Sequence, residues 1–258
     1  MPDSPSHAPT LEVRDLQVHY GRSSALTNIS CRIPSRQVTA VMGPSGCGKS
    51  TFIKTLNRTL ELTPKARVRG GSVLYRGNDI YASACNVDDI RKQIGIIHQR
   101  PVSFPMTIKE NVLFGARFHK LVRRADETDY ARKYLERVGL WTEVRDRLGA
   151  HAATLSGGQQ QRLCLARTLA NQPTVILMDE PCSALDPAAT RRIEELIGEL
   201  ERDYTIVIVT HNMSQARRVS RNALFFYDGR LMEAGPTQQI FEDPRESLTR
   251  EFVTGQIG

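Results

Sequence analysis

The sequence has no long apolar run. Nothing in it approaches the ~18 consecutive apolar residues of a membrane-spanning helix. Its most apolar stretches, Ile206-Val207-Ile208-Val209 and Ala223-Leu224-Phe225-Phe226-Tyr227, have the length of buried strands. The first nine residues, Met1 to Pro9, lack an apolar core, so no signal peptide is expected there. A short disordered lead-in over residues 1–10 and a protein kept in the cytoplasm are predicted instead. Cysteine is sparse. Cys31, Cys47, Cys85, Cys164 and Cys182 lie far apart without paired metal-ligand spacing, and are expected to be reduced and structural. Basic runs with interleaved aromatics are missing as well. The formal net charge is +7, and arginines come in scattered pairs such as Arg191 and Arg192, so nucleic-acid binding is not expected. That charge fits a surface facing an anionic membrane leaflet, and it equally fits solvated helix faces. There is no internal repeat and no low-complexity tract.

What is present has a clear order. At 258 residues the chain can bury roughly three quarters of its unfolded surface. Leu11 to Ile33 alternates apolar and polar residues, predicting antiparallel strands with one solvated face. Val38 to Met42 reads as a short strand, Ser50 to Leu60 as a helix, Gly70 to Gly77 as strand and turn, and Ile94 to Ile97 as a strand leading to Gln99. Between about 105 and 155 strand signals vanish, and Ala131, Leu135 and Val138 mark a helix over Ala125 to Val138. Helices at 160–171, 187–202 and 214–219 then alternate with strands at 175–178, 205–209 and 223–227. That pattern predicts a parallel sheet covered on its faces.

Gly43-Pro44-Ser45-Gly46-Cys47-Gly48-Lys49-Ser50 satisfies G-x-x-x-x-G-K-[ST], with a strand before it and a helix after. The glycines let backbone N–H groups turn inward around phosphate oxygens at the positive end of a helix. Lys49 would reach the β- and γ-phosphates, and Ser50 would offer its hydroxyl to Mg²⁺. Thr51 follows in the same nucleotide-binding stretch. A helix N-terminus would lower the thiol pKa of Cys47, against the simpler reading of a small residue that fits the turn. Val175-Ile176-Leu177-Met178-Asp179-Glu180 is an apolar strand ending in two carboxylates. Asp179 would hold the Mg²⁺ shell and Glu180 would polarise an attacking water. A second cradle, Leu155-Ser156-Gly157-Gly158-Gln159, places Ser156 as an N-cap and leaves Gly157 and Gly158 with open backbone N–H groups. Taken alone it is only a flexible turn before a helix.

Together with Gln99, Ser183-Ala184-Leu185-Asp186 and His211, these segments follow one another as in the ATP-binding cassette ATPases, which the chain resembles over residues 11 to about 235. The resemblance implies an α/β fold: a P-loop NTPase core with a mostly parallel sheet, an N-terminal antiparallel β subdomain and an inserted helical subdomain. It implies one domain over 11–258, with residues 11–104 and 156–258 as core and about 105–155 helical. By the same resemblance Tyr20 stacks on adenine, Gln99 touches Mg²⁺ and water, and His211 contacts the γ-phosphate. Ser183 to Asp186 crosses a dimer interface; Asp186-Pro187 also reads independently as an N-cap followed by proline at the first helical position. ATP would lie between Lys49 and Asp179 of one copy and Ser156 to Gln159 of a second.

A finer resemblance is to the ATP-binding subunit of bacterial phosphate importers. It rests on Arg100 to Ile108 with Glu110-Asn111-Val112, on Pro181 to Pro187, on Phe225-Phe226-Tyr227 and on Thr254 to Gly258. His98 departs from it, since that subgroup places Phe before the glutamine. The subgroup implies two integral membrane permease subunits, an extracytoplasmic phosphate-binding protein and a peripheral place on the cytoplasmic face of the membrane. Importers of amino acids or phosphonate are the nearest alternatives. A soluble cassette ATPase of DNA repair or translation fits less well, because those carry long coiled-coil insertions or two cassettes. A kinase or GTPase sharing the phosphate loop is disfavoured by the second cradle and His211.

Overall fold

The computed structural model describes residues 10–257, so the expected lead-in lies outside the described residues apart from Thr10. In chain order the strands are β1 (Leu11–Tyr20), β2 (Ser23–Ile33), β3 (Val38–Met42), β4 (Ala66–Tyr75), β5 (Asn78–Asp79), β6 (Ile94–Ile97), β7 (Val175–Asp179), β8 (Thr205–Val209), β9 (Asn222–Tyr227) and β10 (Arg230–Pro236). The helices are α1 (Lys49–Thr55), α2 (Val87–Gln93), α3 (Ile108–Phe118), α4 (Glu127–Arg137), α5 (Trp141–Val144), α6 (Gly157–Leu169), α7 (Pro187–Leu200), α8 (Met213–Val219), α9 (Thr237–Glu242) and α10 (Ser247–Val253).

The alternating N-terminal segment forms an antiparallel sheet in the order β2-β1-β4-β5. Its inward positions Leu11, Leu16, Val18, Leu26, Ile29 and Ile33 are fully buried. The second sheet runs β10-β9-β3-β8-β7-β6 and is parallel except for β10. Strands β3, β7 and β8 are buried at every position. Period-two alternation sends their side chains into two separate cores. Ala40, Met42, Ile176, Met178, Ile206 and Ile208 pack with residues of α3, α4, α6 and α7. Val41, Val175, Leu177, Val207 and Val209 pack with α1 and the antiparallel sheet. The α/β class and both sheet types are as the sequence predicts.

Several elements differ from expectation. The helix predicted over 50–60 stops at Thr55, because Asn57 Oδ1 accepts from both the N–H and the hydroxyl of Thr59. Arg58 takes φ 62°, and a 3₁₀ turn, Thr59–Leu62, follows. Helix α4 is shorter than predicted, with a 3₁₀ turn, Arg124–Asp126, before it. The unpredicted α2 is capped by Asn86, which accepts from Asp88 N–H, and carries Asp88 and Asp89 in its first turn. Strand β10 is likewise absent from the sequence expectation. It folds back on β9 through Asp228 (φ 44°) and Gly229 (φ 71°), the positive-φ pair of a tight hairpin.

Candidate nucleotide site

Parallel register brings the motifs to one sheet edge. Val41 pairs with Val209, Val209 with Asp179, and Met178 with Ile97. The residues just beyond these, Gly43, His211, Glu180 and Gln99, therefore leave the carboxyl ends of neighbouring strands together. This is where open α/β sheets bind ligands.

The loop after β3 is shaped by its glycines. Gly43 (φ 145°) passes so close to the backbone of Phe226 that a Cβ would overlap its carbonyl oxygen. Gly48 (φ 102°) caps α1, where a Cβ would lie 2.6 Å from Leu26 Cδ2. Lys49 is buried, and its Nζ donates to the carbonyls of Gly43 and Pro44, each at 2.7 Å. These bonds hold the ammonium over the loop. Cys47 is buried, and that burial pushes its thiol pKa up despite the nearby Lys49, so the simpler structural reading of this cysteine fits. The Tyr20 hydroxyl lies 3.2 Å from Thr51 Oγ1, tying the end of β1 to α1.

Ser50 Oγ donates to Asp179 Oδ1 at 3.0 Å. Burial raises the Asp179 pKa, opposed by the Ser50 hydrogen bond and the charge of Lys54. Among the described residues no group of three or more His, Cys, Asp or Glu could hold a metal. The donor set here, one carboxylate and one hydroxyl, has the hard-oxygen character of sites where Mg²⁺ keeps waters and phosphate oxygens as its other ligands. Glu180 turns the chain through φ 48°, a conformation costing about 1–3 kcal/mol in a non-glycine residue. Its Oε2 accepts from Gln99 Nε2 at 3.0 Å and lies 3.2 Å from His211 Nδ1.

The second cradle is built as an N-cap. Ser156 Oγ accepts from Gln159 N–H at 3.4 Å, and Gln159 Oε1 accepts from Ser156 N–H at 3.0 Å, a reciprocal capping box on α6. The other end of the Gln159 amide donates to Glu143 at 2.7 Å. Glu143 also receives Arg162, and sequence reasoning does not single it out. The spacing of Gln159 and Arg162, three apart on one helix face, was the available signal. Asp186 Oδ1 accepts from Ala188 and Ala189 N–H and caps α7, which opens with Pro187; Ser183, Ala184 and Asp186 are exposed.

The cavity at the phosphate loop, about 210 Å³, is lined by Ser45, Gly46, Gly48, Lys49, Ser50, Thr51 and Glu180. It is smaller than the ≈ 300–1,000 Å³ of sites that enclose a small ligand. The cavity at Ser156 to Gln159, about 500 Å³, is shared with Ala184, Leu185 and Asp186 and has no residue in common with the first. One chain thus gathers Lys49, Ser50, Asp179, Glu180, Gln99 and His211, and leaves Ser156 to Gln159 elsewhere.

Residues 26–183 match the family described as ABC transporter. The chain belongs to the ABC transporter family. As an ABC ATPase domain it binds ATP and hydrolyses it to drive a transporter. The structure of cbiO1 from Clostridium perfringens, part of the ABC transporter complex cbiONQ, is similar with a TM-score of 0.80 and 27% identity, over 97% of this chain and 100% of that one. A bacterial Atm1-family ABC exporter with ATP bound gives a TM-score of 0.80 and 25% identity over all of this ABC chain, which spans only 44% of the exporter.

Proposed function

We propose that this chain energises the uptake of inorganic phosphate across the cytoplasmic membrane, working as a head-to-tail pair of copies. The observation that carries the pairing is the separation of the two cradles into cavities that share no residue. Each ATP would lie between Lys49, Ser50 and Asp179 of one copy and Ser156 to Gln159 of the other, with Tyr20 against the adenine. Glu180 would orient the attacking water, held in place by Gln99 and His211. His211 would face the γ-phosphate, and Ser183 to Asp186 would cross the interface. A bound Mg²⁺ would neutralise charge on the transferred phosphoryl group; Ser50, Asp179 and Gln99 would hold it. Nucleotide binding closes the pair and hydrolysis reopens it, which biases the partner between two states.

Among the described residues no helix is long and apolar enough to cross a membrane. A peripheral place on the cytoplasmic face, beside two permease subunits, fits that observation. Val102, Phe114 and Phe118 are exposed apolar side chains near the segment after Gln99 and offer the permeases a contact surface. In this reading residues about 105–155 form the helical subdomain. Phosphate as cargo, with an extracytoplasmic phosphate-binding protein, is supported by the resemblance of Arg100 to Ile108 and Pro181 to Pro187. Asn111, fully buried, holds the first of these segments through bonds to Phe104, Met106 and Thr107. The test is uptake of labelled phosphate by cells with and without this chain, the permeases being present. Loss of uptake is expected. Unchanged phosphate uptake with another solute's import stopped would overturn the cargo.

A further inference from the structure

A cavity of about 730 Å³ opens behind Glu180 and His211, and its far wall is formed by α7 and α8. On that wall Gln215 is 3% exposed and makes a directional pair of hydrogen bonds. Its Oε1 accepts from Thr210 Oγ1 at 2.8 Å, and its Nε2 donates to Glu194 Oε1 at 3.1 Å. Thr210 Oγ1 in turn accepts from the N–H of Asn212 at 3.0 Å, so the residues on both sides of His211 are tied to one amide. Glu194 is held from the other side by Arg218, at 2.8 and 3.0 Å. It projects from α7, the helix whose first turn is capped by Asp186. Cys182, at the start of the same loop, also faces Gln215.

We propose that Gln215 and Glu194 are positioning residues that couple the loop 183–186 to His211. The inference rests on the two-copy reading above, in which that loop touches a second copy. A helix moves as a unit, so displacement of the Asp186 end carries Glu194 with it. Glu194 meets α8 at two side chains, Arg218 and the buried Gln215, and of these the Gln215 amide leads on to Thr210 and, through it, to the N–H of Asn212 beside His211. The amide has one acceptor and one donor in use, so the direction of each bond is fixed. Docking of the second copy thereby acts on the 3.2 Å approach of His211 to Glu180 that the single chain already shows, and with it on the rate of hydrolysis.

The test uses the full chain. Glu194→Ala should lower kcat for ATP by about ten- to a hundredfold, up to the scale of a misplaced catalytic group, with KM for ATP little changed; Tm should fall as well, since the buried Gln215 amide loses its acceptor. The exchange Glu194→Gln with Gln215→Glu swaps carboxylate and amide and keeps the bonds of residue 215 to Thr210 and to residue 194; the half-exposed Arg218 keeps its Nε bond to the remaining oxygen and gives up its Nη2 bond to solvent. The carboxylate placed on α8 can accept from the Thr210 hydroxyl and from the amide placed on α7. This double variant should restore kcat to within about threefold of the wild type. An unchanged kcat in Glu194→Ala, or a loss that the exchange does not restore, overturns the coupling. Sedimentation of the Glu180→Gln chain with Mg-ATP tests the underlying reading separately. Failure to pair there removes the two-copy site whatever Glu194 does.

Discussion

His211 and Gln99 approach the same carboxylate oxygen, Oε2 of Glu180, at 3.2 Å and 3.0 Å, from segments that follow two different strands. Convergence on one oxygen aims the carboxylate and leaves Oε1 without either of these partners. This is the arrangement expected of a group that accepts a proton from a bound water.

Replacing Glu180 by Gln keeps the shape and removes the proposed base. Turnover of ATP should fall by at least about 100-fold, the low end of what a general base contributes. ATP affinity should change little, because Lys49, Ser50 and the loop N–H groups are untouched. Phosphate release and equilibrium nucleotide binding, measured on the same preparation, check both halves. Unchanged turnover would remove Glu180 from the role.

The close passage of Gly43 against Phe226 makes a stability prediction. Gly43→Ala puts a methyl group onto a backbone oxygen that cannot move aside as a side chain would, at a φ of 145° that disfavours any Cβ. The cost should be at least about 2 kcal/mol. Thermal unfolding of the variant reads this directly, and a Tm equal to the wild type would mean that the loop relaxes freely.

The phosphate loop and the Asp179-Glu180 pair were legible because each motif does its work within a few consecutive residues. Their flanking strands are short, β-branched and buried on both faces, so the pattern and the fold agree. Glu143, Glu194 and Gln215 were not legible. Each is an ordinary polar residue of a helix, and its importance comes from a partner 16 to 24 residues away. The hairpin to β10 depends on Asp228-Gly229, a two-residue turn signal with little weight beside the longer apolar runs around it. The end of α1 depended on the side chain of Asn57, a contest between helix and local turn that spacing alone does not decide.

Two defective chains should rescue each other if the ATP site is shared between copies. At Gly157 a Cβ has room, its nearest neighbour being Leu185 Cδ2 at 3.9 Å, and an acidic residue suits the first turn of a helix. Gly157→Asp should therefore fold at least as well as the wild type, yet repel a phosphate from the partner's loop. Lys49→Ala should fail in the opposite half of the site. Mixed in equal amounts, random pairing makes half of the dimers heterodimers, each with one intact site, so about a quarter of wild-type turnover should return. No recovery on mixing would favour sites completed within a single chain.

Glu233 supplies a pH dependence remote from the nucleotide. It is a buried carboxylate on β10 that accepts from Gln239 Nε2 and Arg245 N–H through Oε1 and from Glu246 N–H through Oε2. Burial alone would raise its pKa, but these donors more than offset it, and the net shift is downward. A depressed folded-state pKa adds stability that is fully present above the unfolded-state value near 4.3 and is lost as pH falls through the folded-state value. Glu233→Gln should cost about 1–3 kcal/mol at neutral pH, because its –NH₂ would face a backbone N–H donor in place of an acceptor. The gap between the two proteins should narrow as pH drops below the ordinary carboxylate range, since only the wild type loses a charged acceptor there. Denaturant unfolding at a series of pH values measures that gap, and a gap that stays constant down to acid pH would show that the Glu233 charge contributes nothing.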